Sequence, residues 1–243
     1  MPDQAPRISI VIPVYNEEAI LHAAIVDLRE RLKPLGWSYE IIVAENGSTD
    51  RTVAIGEELA QKYANPSDGQ VKIISMGEPN YGRAMKEGIL LARGELVICD
   101  EIDLCDADFH KRAVEILESG AADLVIGSKL AEGAEDERPF IRNVASRAYS
   151  GLLKVLLGFR GTDTHGLKAF RRAALLDTAR ACLVEKDVFA SEFVIRADRG
   201  GIRTKEIPVR IKEKRPPSIN LFKRVPNVLK SVAKLTWAIR VRG

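Results

Sequence analysis

Three carboxylates within four positions follow an apolar run, and these residue types at this spacing are suited to metal chemistry. The run Leu96–Cys99 has the character of a strand, and Asp100, Glu101 and Asp103 come after it. Carboxylates near a core are costly unless a cation neutralises them, and oxygen ligands favour Mg²⁺ or Mn²⁺ over zinc. If strand geometry persists, side chains 101 and 103 point to the same side. The pattern predicts that Glu101 and Asp103 bind one ion; alternatively, an acidic loop from Asp100 to Asp108 caps the next helix.

The composition is typical of a soluble globular protein with one large domain. The 243 residues are 46% hydrophobic and 29% charged. No apolar run approaches the roughly 20 residues that a membrane-spanning helix needs. The three cysteines have neither a zinc-binding spacing nor a paired disulfide framework, which suits a reducing compartment. We therefore expect a cytoplasmic protein, with a peripheral position on the cytoplasmic membrane face as a further option.

The charge is distributed unevenly along the chain. Residues 203–243 contain 12 Lys and Arg against 2 Asp and Glu, whereas residues 1–202 contain 25 against 32. A basic segment on an acidic body predicts an anionic partner, such as a membrane surface, phosphates or nucleic acid. A nucleic-acid role would also require interleaved aromatic residues. This segment offers only Phe222 and Trp237, so we expect no nucleic-acid partner.

The same segment contains an apolar stripe. Its members recur at steps of four, three, four, three and four: Leu221, Val225, Val228, Val232, Leu235 and Ile239. This spacing predicts an amphipathic helix from about Pro226, with Lys230, Lys234 and Trp237 on the opposite face. Such a helix can lie on an anionic membrane with its stripe buried, or the stripe can pack on the protein's own core. We expect peripheral membrane contact through residues 219–243.

Strand-like and helical patterns alternate in the first half of the chain. Apolar segments at 8–13, 39–44, 71–75 and 96–99 are each followed by polar residues and then by a helical pattern. This alternation favours an α/β fold with a mostly parallel central sheet flanked by helices. Ligands bind beyond the carboxyl ends of the strands in such sheets. The polar segments predicted to meet there are 15–17, 45–50, 80–82 and 101–103.

These segments resemble the nucleotide-sugar half of family 2 glycosyltransferases. The similar segments, in order before the acidic triplet, are Ile12-Pro13-Val14-Tyr15-Asn16-Glu17-Glu18, Asn46-Gly47-Ser48-Thr49-Asp50 and Asn80-Tyr81-Gly82-Arg83-Ala84. Later segments, including 163–170 and 191–197, are most similar to the branch that transfers mannose or glucose to polyprenyl (dolichyl) phosphate. The resemblance implies the GT-A fold over residues 1–218, with a donor half at 1–104 and an acceptor half at 105–218, before the helical tail.

The resemblance also implies roles in donor binding. Pro13, Tyr15 and Glu17 would line the pocket for the nucleobase and ribose. Glu45 and Asn46 stand where the family usually has two aspartates, so recognition of the base is expected to differ. The remaining donor-binding candidates are Asn80, Gly82, Arg83, Asp100 and Glu101, and Lys86 is a further cation that could approach the diphosphate.

The acidic triplet aligns with the Asp-x-Asp metal motif of the family, with Glu101 in place of the first aspartate. The resemblance implies that Glu101 and Asp103 bind Mg²⁺ or Mn²⁺. Cys105 falls where a metal-contacting Gln often lies, and a thiol matches a hard cation poorly. Asp100 and Asp106 are therefore substitute ligand candidates.

The nature of the acceptor decides which other groups are needed. A phosphate monoester is already anionic at neutral pH and needs positive charge for positioning; the candidates are Lys129, Arg142, Lys168 and Arg215. A hydroxyl acceptor would require a general base, with Glu192 first and then Asp163 and His165. Alternatively, Glu192 only pairs with a nearby arginine. His22 and His110 fall in helical surface patterns and are not expected to bind metal.

Three hypotheses follow. The leading one is an inverting glycosyltransferase, with Asp103 and Glu192 as catalytic candidates, that moves mannose or glucose from a GDP- or UDP-sugar to polyprenyl phosphate and depends on Mg²⁺ or Mn²⁺. The second is the same chemistry on a soluble hydroxyl acceptor. The third is an inactive relative that binds nucleotide or nucleic acid.

Overall fold

The structure, a computed structural model, describes residues 5–137, 139–211 and 221–241. Strands and helices alternate along the first half of the chain, as the sequence predicts. In order they are β1 (Ile8–Val14), α1 (Leu21–Leu32), β2 (Tyr39–Glu45), α2 (Thr52–Lys62), β3 (Gln70–Ser75), α3 (Tyr81–Leu91), β4 (Leu96–Cys99), α4 (Ala107–Glu118) and β5 (Leu124–Ser128). The remaining elements are β6 (Glu135–Asp136), α5 (Phe140–Leu157), β7 (Leu167–Arg171), α6 (Arg172–Ala181), α7 (Phe189–Arg199), β8 (Thr204–Pro208), β9 (Arg210–Ile211) and α8 (Leu221–Val241).

Within the described ranges, seven strands form one sheet in the order β3-β2-β1-β4-β7-β5-β8. Strand β7 runs antiparallel to both of its neighbours, and the other pairs in this sheet are parallel. The four strands predicted from the alternating pattern, β1 to β4, make up its parallel half. The predicted α/β fold with a mostly parallel sheet is therefore confirmed.

The sheet has a hydrophobic core on each face. Along β1, Ile8, Ile10 and Ile12 belong to one core cluster and Val11 belongs to the other. Helices α1, α2 and α4 pack residues into the first cluster, and α3 and α5 to α8 pack residues into the second. Burial on both faces explains why β1, β2 and β4 appear in the sequence as largely apolar runs.

The C-terminal helix packs against the body of the protein. It begins at Leu221, earlier than the predicted start near Pro226. Val232, Leu235 and Ile239 of the apolar stripe are buried, and the last two belong to the second core cluster. For these side chains the predicted burial in a membrane is wrong, and packing on the protein's own core is correct. No helix in the described part of the chain is long and apolar enough to cross a membrane.

Candidate active site

The loops that carry the predicted site residues leave the sheet at one edge. Strands β1, β2 and β4 are parallel neighbours, and their registers pair Val14 with Glu45 and Val11 with Cys99. The segments after β1, β2 and β4 therefore begin close together, which is where ligands bind in sheets of this kind. The predicted convergence of these segments is confirmed.

The loops after β1 and β2 are joined by hydrogen bonds. The Asn16 side chain accepts from the Thr49 amide at 2.8 Å, and the Asn16 amide donates to the Ser48 hydroxyl at 3.0 Å. Asn16 has φ 53°, in the left-handed region that Asn tolerates better than most residues. Pro13 is buried in β1, whereas the neighbouring Tyr15 is 43% exposed at the edge of the sheet. Tyr15 is therefore accessible to a ligand at this edge.

Glu45 and Asn46 are used to hold loops together. Both Glu45 oxygens accept hydrogen bonds, one from the Ser48 amide and one from the Ser75 hydroxyl, and its side chain is buried. The Asn46 side chain accepts from the Asn80 amide. The two residues at the family's aspartate positions thus join the segments after β2 and β3.

Asn80 joins the start of α3 to a distant loop. Its side-chain oxygen accepts from the amides of Arg83, at 3.1 Å, and Lys186, at 2.9 Å. Its side-chain nitrogen donates to the Glu185 carboxylate at 2.8 Å. Lys86 likewise donates to the Cys182 carbonyl at 2.7 Å. Segment 182–186 therefore covers the α3 side of the site. It forms hydrogen bonds with Asn80 and Lys86, two residues predicted to approach the sugar donor.

Gly82 allows segment 182–186 to pack closely against the start of α3, because it has no side chain. This gives a first prediction. A Cβ atom at Gly82 would lie 2.6 Å from the Lys186 carbonyl oxygen and 2.8 Å from its amide nitrogen. We expect Gly82→Ala to displace segment 182–186 and to lower the free energy of unfolding by about 1 to 3 kcal/mol, measured by urea denaturation. Gly151→Ala is the matched control, because a Cβ there meets no atom within 4 Å. Equal stability of Gly82→Ala and wild type would show that the close approach is not required.

The acidic triplet lies in a tight turn. Strand β4 ends at Cys99, and the amides of Leu104 and Cys105 both donate to the Glu101 carbonyl at 3.0 Å. The assumption that strand geometry continues to Asp103 is therefore wrong. Cys105 has φ 43°, so the chain reverses here through a left-handed residue. It is the turn that brings the Glu101 and Asp103 carboxylates near each other.

The other carboxylates of this segment have structural partners. Asp106 caps α4 by accepting from the Phe109 amide at 3.0 Å, and Asp108 pairs with Arg112 at 2.8 Å. Asp100 is buried and accepts three hydrogen bonds. The helix-capping interpretation thus holds for Asp106. Glu101 and Asp103 are the two carboxylates of the triplet segment that remain suited to a metal.

The electrostatics of the pair fit a divalent cation. Burial and the charge of Asp103 raise the pKa of Glu101 to about 7, against the opposing effect of Lys129 and Lys168. A cation between the two carboxylates would relieve this repulsion. In the ranges that the structure describes, no cluster of three or more His, Cys, Asp or Glu side chains could hold a metal ion. The oxygen donors of Glu101 and Asp103 match Mg²⁺ or Mn²⁺, which commonly bind one or two carboxylates together with substrate phosphates.

Two of the predicted acceptor cations lie beside this pair. Lys129 donates to Asp163 at 2.7 Å, with both side chains more than 90% buried. Lys168 donates to the Gly166 carbonyl at 2.7 Å, and burial lowers its pKa. Both lysines act electrostatically on Glu101. Arg142 is half-buried near the start of α5, and Arg215 lies outside the described residues.

Glu192 is fully buried and engaged. Its carboxylate accepts from the Leu183 amide, at 3.0 and 2.9 Å, and from the Val184 amide at 2.6 Å. Its other partner is Arg196, at 2.8 Å. This is the arrangement foreseen by the alternative interpretation, in which Glu192 pairs with a nearby arginine. It holds the same segment, 182–186, that packs on Asn80 and Gly82.

The sequence prediction for His110 is wrong. The predicted position is on the surface of a helix, but His110 is fully buried on α4 and bonds to Asp100 at 2.6 Å. The spacing could have revealed this, because His110 and the buried Ala113, Val114 and Leu117 recur at i, i+3, i+4 and i+7. A histidine in such a stripe faces the core.

Open space adjoins Asp103. A cavity of about 610 Å³ lies beside Asp103 and is bordered by segments 103–108 and 208–210. Arg31 and Arg112 at its wall donate to the Cys105 carbonyl at 2.7 Å and the Pro208 carbonyl at 3.0 Å. The first bond ties the acidic turn to α1, and the second ties α4 to β8.

Comparison with known proteins places these features in a family. The model of glycosyl transferase family 2 matches residues 9–178, more than half of the chain. Glycosyltransferase AglD of Haloferax volcanii is 29% identical over 97% of this chain and 38% of its own length. Human dolichyl-phosphate beta-glucosyltransferase is 30% identical over 84% of this chain and 66% of its own length. The chain thus spans less than two thirds of either relative.

Solved structures show the same architecture. Glucosyl-3-phosphoglycerate synthase from Mycobacterium tuberculosis, in complex with Mn²⁺, UDP and glucosyl-3-phosphoglycerate, superposes with a TM-score of 0.65 at 20% identity. The match covers 95% of this chain and 80% of the synthase. The shared fold, the parallel edge with its acidic turn and the family match lead to one conclusion. The chain belongs to glycosyl transferase family 2 and has the GT-A fold.

Proposed function

We propose that this chain is a glycosyltransferase that moves a hexose from a nucleotide-sugar to a polyprenyl phosphate. The observation that carries the proposal is the Glu101 and Asp103 pair at the carboxyl edge of the sheet, with Lys129 and Lys168 acting on it. The carboxylates suit a metal on the donor side, and the lysines suit an anionic acceptor. The dolichyl-phosphate beta-glucosyltransferase among the relatives supports a lipid-phosphate acceptor and makes glucose the first sugar to test.

On the donor side, Glu101 and Asp103 would hold the Mg²⁺ or Mn²⁺ ion. When bound, this ion would neutralise charge that develops on the departing diphosphate. Tyr15, exposed at the sheet edge, would stack on the nucleobase, and Pro13 and Glu17 would complete its pocket. Glu45, Asn80 and Gly82 would act indirectly, by fixing the loops around the donor, and Arg83 would face the diphosphate from the start of α3.

On the acceptor side, the geometry favours a phosphate nucleophile. Such an acceptor is anionic at neutral pH and needs no strong base. The first of the predicted base candidates, Glu192, is fully buried and is engaged by two amides and Arg196. Lys129 and Lys168 would position the acceptor phosphate, and Arg142 and Arg215 remain further candidates for this role.

Calorimetry tests the donor half of the proposal. UDP, GDP and their glucose and mannose derivatives are titrated into the protein with Mn²⁺, with Mg²⁺ and with EDTA. We expect one nucleoside diphosphate to bind tightly and to lose most of its affinity in EDTA. Absence of binding for every nucleotide with either metal would contradict the proposed activity and favour an inactive relative.

A membrane surface would bring the enzyme to a lipid acceptor, and α5 offers an exposed apolar face for it. Phe140 and Val155 are 82% and 81% exposed. Other exposed apolar residues of α5 and α8 are Ile141, Val144, Leu229, Trp237 and Val241. A groove of about 490 Å³ between Leu152 and Leu156 of α5 and Trp237 of α8 continues this surface. Contiguous exposed apolar patches mark sites of protein or membrane contact.

The charge and the position of this surface of α5 and α8 favour a membrane as its binding partner. Exposed cations accompany the apolar face on both helices: Arg147, Lys154, Lys230, Lys234 and Arg240. Basic residues beside an apolar face are attracted to anionic lipids. On the inner side of α5, Tyr149 bonds at 2.9 Å to Ser191, which bonds at 2.8 Å to Thr164, next to Asp163. A bilayer on α5 would therefore lie close to the acceptor lysines.

Vesicle sedimentation tests this surface. We expect Phe140→Ser/Val155→Ser to bind vesicles containing phosphatidylglycerol at least about tenfold more weakly, because two apolar side chains no longer insert. Leu91→Ser is the matched control, since Leu91 is 53% exposed on α3. Equal binding by the double variant and wild type would exclude this face as the membrane contact.

A further inference from the structure

Asp100 connects three parts of the chain around the acidic turn. It is the first residue after β4 and is only 1% exposed. One carboxylate oxygen accepts from the Glu101 amide at 2.7 Å, and the other accepts from the Asp106 amide at 3.1 Å. Asp100 thus closes the turn at both ends, before Glu101 and after Asp103.

His110 holds Asp100 from the neighbouring helix. Its Nε2 lies 2.6 Å from the second Asp100 oxygen, and neither side chain is exposed. Its Nδ1 is buried and has no hydrogen-bond partner among the described residues. Nε2 therefore fits best as the donor to Asp100, because a proton on Nδ1 would be buried without an acceptor. This hydrogen bond links the acidic turn to α4, the helix whose N-terminus is capped by Asp106.

We propose that the Asp100 and His110 pair positions the turn that carries Glu101 and Asp103, so that both carboxylates reach one metal ion. This inference rests on the proposed metal-dependent function. Two of the three Asp100 bonds fix the backbone on either side of Glu101 and Asp103, and the third anchors Asp100 to His110. Groups that orient metal ligands without touching the metal commonly change metal affinity by about 10- to 100-fold when they are replaced. His110 is therefore a positioning residue.

The test compares two substitutions that differ in one hydrogen bond. His110→Gln places an amide N–H near the original Nε2, whereas His110→Leu fills similar space without a donor. Mn²⁺ affinity is measured by electron paramagnetic resonance of free Mn²⁺, with saturating UDP or GDP and without it. His22→Leu on α1 is the matched control, because His22 is exposed. Thermal unfolding is followed in parallel, since a purely structural role would lower only the melting temperature.

We expect His110→Leu to bind Mn²⁺ at least about tenfold more weakly than wild type, with His110→Gln close to wild type. If His110→Leu does not fold, His110→Asn replaces it, because its shorter amide does not reach Asp100. If a folded variant that lacks the N–H donor at position 110 binds Mn²⁺ with wild-type affinity, the positioning role of His110 is overturned. The proposed function would be unaffected by that result. A wild-type protein that binds no Mn²⁺ with either nucleotide would overturn the proposed function, and this inference with it.

Discussion

Replacing Asp103 with alanine is expected to reduce glycosyl transfer by about a hundredfold to a thousandfold, because it removes charge stabilisation at the departing diphosphate. Asp103 is half-exposed in the turn after β4. Its loss leaves the core unchanged, so the melting temperature should stay close to that of wild type. Initial rates at saturating donor, together with thermal unfolding, measure both effects.

Asp108→Asn is the matched control for Asp103→Ala. Asp108 lies in the same acidic segment, but it is exposed and pairs with Arg112. We expect its replacement to change the transfer rate by less than about threefold, since exposed ion pairs contribute little. Wild-type turnover in Asp103→Ala would remove Asp103 from the mechanism. Equal losses in both variants would indicate a general effect of acidic charge.

Glu192→Ala is expected to lower the free energy of unfolding by about 3 to 5 kcal/mol, because it leaves Arg196 without its buried partner. The Leu183 and Val184 amides also lose their acceptor. The more informative variant is Glu192→Gln, which retains an acceptor oxygen for one of these amides. We expect its turnover to stay within about tenfold of wild type, whereas loss of a general base would cost about a hundredfold to ten-thousandfold.

Arg196→Gln further distinguishes a structural role of Glu192 from a role as general base. Arg196 donates to Glu192 and to the Ala238 carbonyl on α8, at 2.8 and 3.2 Å. We expect this variant to lose stability, as the Glu192 variants do, and to keep its turnover. The measurements are urea denaturation and initial rates with polyprenyl phosphate. If Glu192→Gln folds and its turnover falls a hundredfold or more, Glu192 acts as the general base and the structural assignment is contradicted.

The sequence predicted the fold and the edge of the sheet where the site lies, because both depend on local patterns. The strand predicted at 8–13 corresponds to β1 (Ile8–Val14), and the strand predicted at 39–44 corresponds to β2 (Tyr39–Glu45). Parallel strands buried on both faces have continuous apolar runs. The polar residues that follow each run therefore identify the carboxyl ends of the strands from the sequence alone.

The uses of individual polar side chains could not be predicted in this way. Glu192 is bonded to amides eight and nine residues earlier, and Asn80 is bonded to Lys186. These partners depend on how α3, α7 and the loop between α6 and α7 pack together. The turn at Glu101 depends on a left-handed Cys105 and on a bond from Asp100 to α4. No single sequence pattern specifies such contacts.

The apolar stripe of α8 illustrates a different limit. Periodicity predicted that Val232, Leu235 and Ile239 share one face of a helix, and all three are buried together. Periodicity does not say what covers that face, which here is the core of the protein. The most exposed of the large apolar residues in the described ranges, Phe140 and Val155, lie on α5 instead. Sequence spacing alone does not separate an inward stripe from an outward one.

The most direct test of the central claim is transfer of labelled sugar to a lipid phosphate. The purified protein is incubated with UDP-[¹⁴C]glucose and, in parallel, GDP-[¹⁴C]mannose, with Mn²⁺ and dolichyl or undecaprenyl phosphate. The label is then partitioned between organic and aqueous phases. We predict metal-dependent label in the organic phase with one donor, absent in Asp103→Ala. Donor turnover that leaves all label in water-soluble products would contradict the lipid-phosphate acceptor.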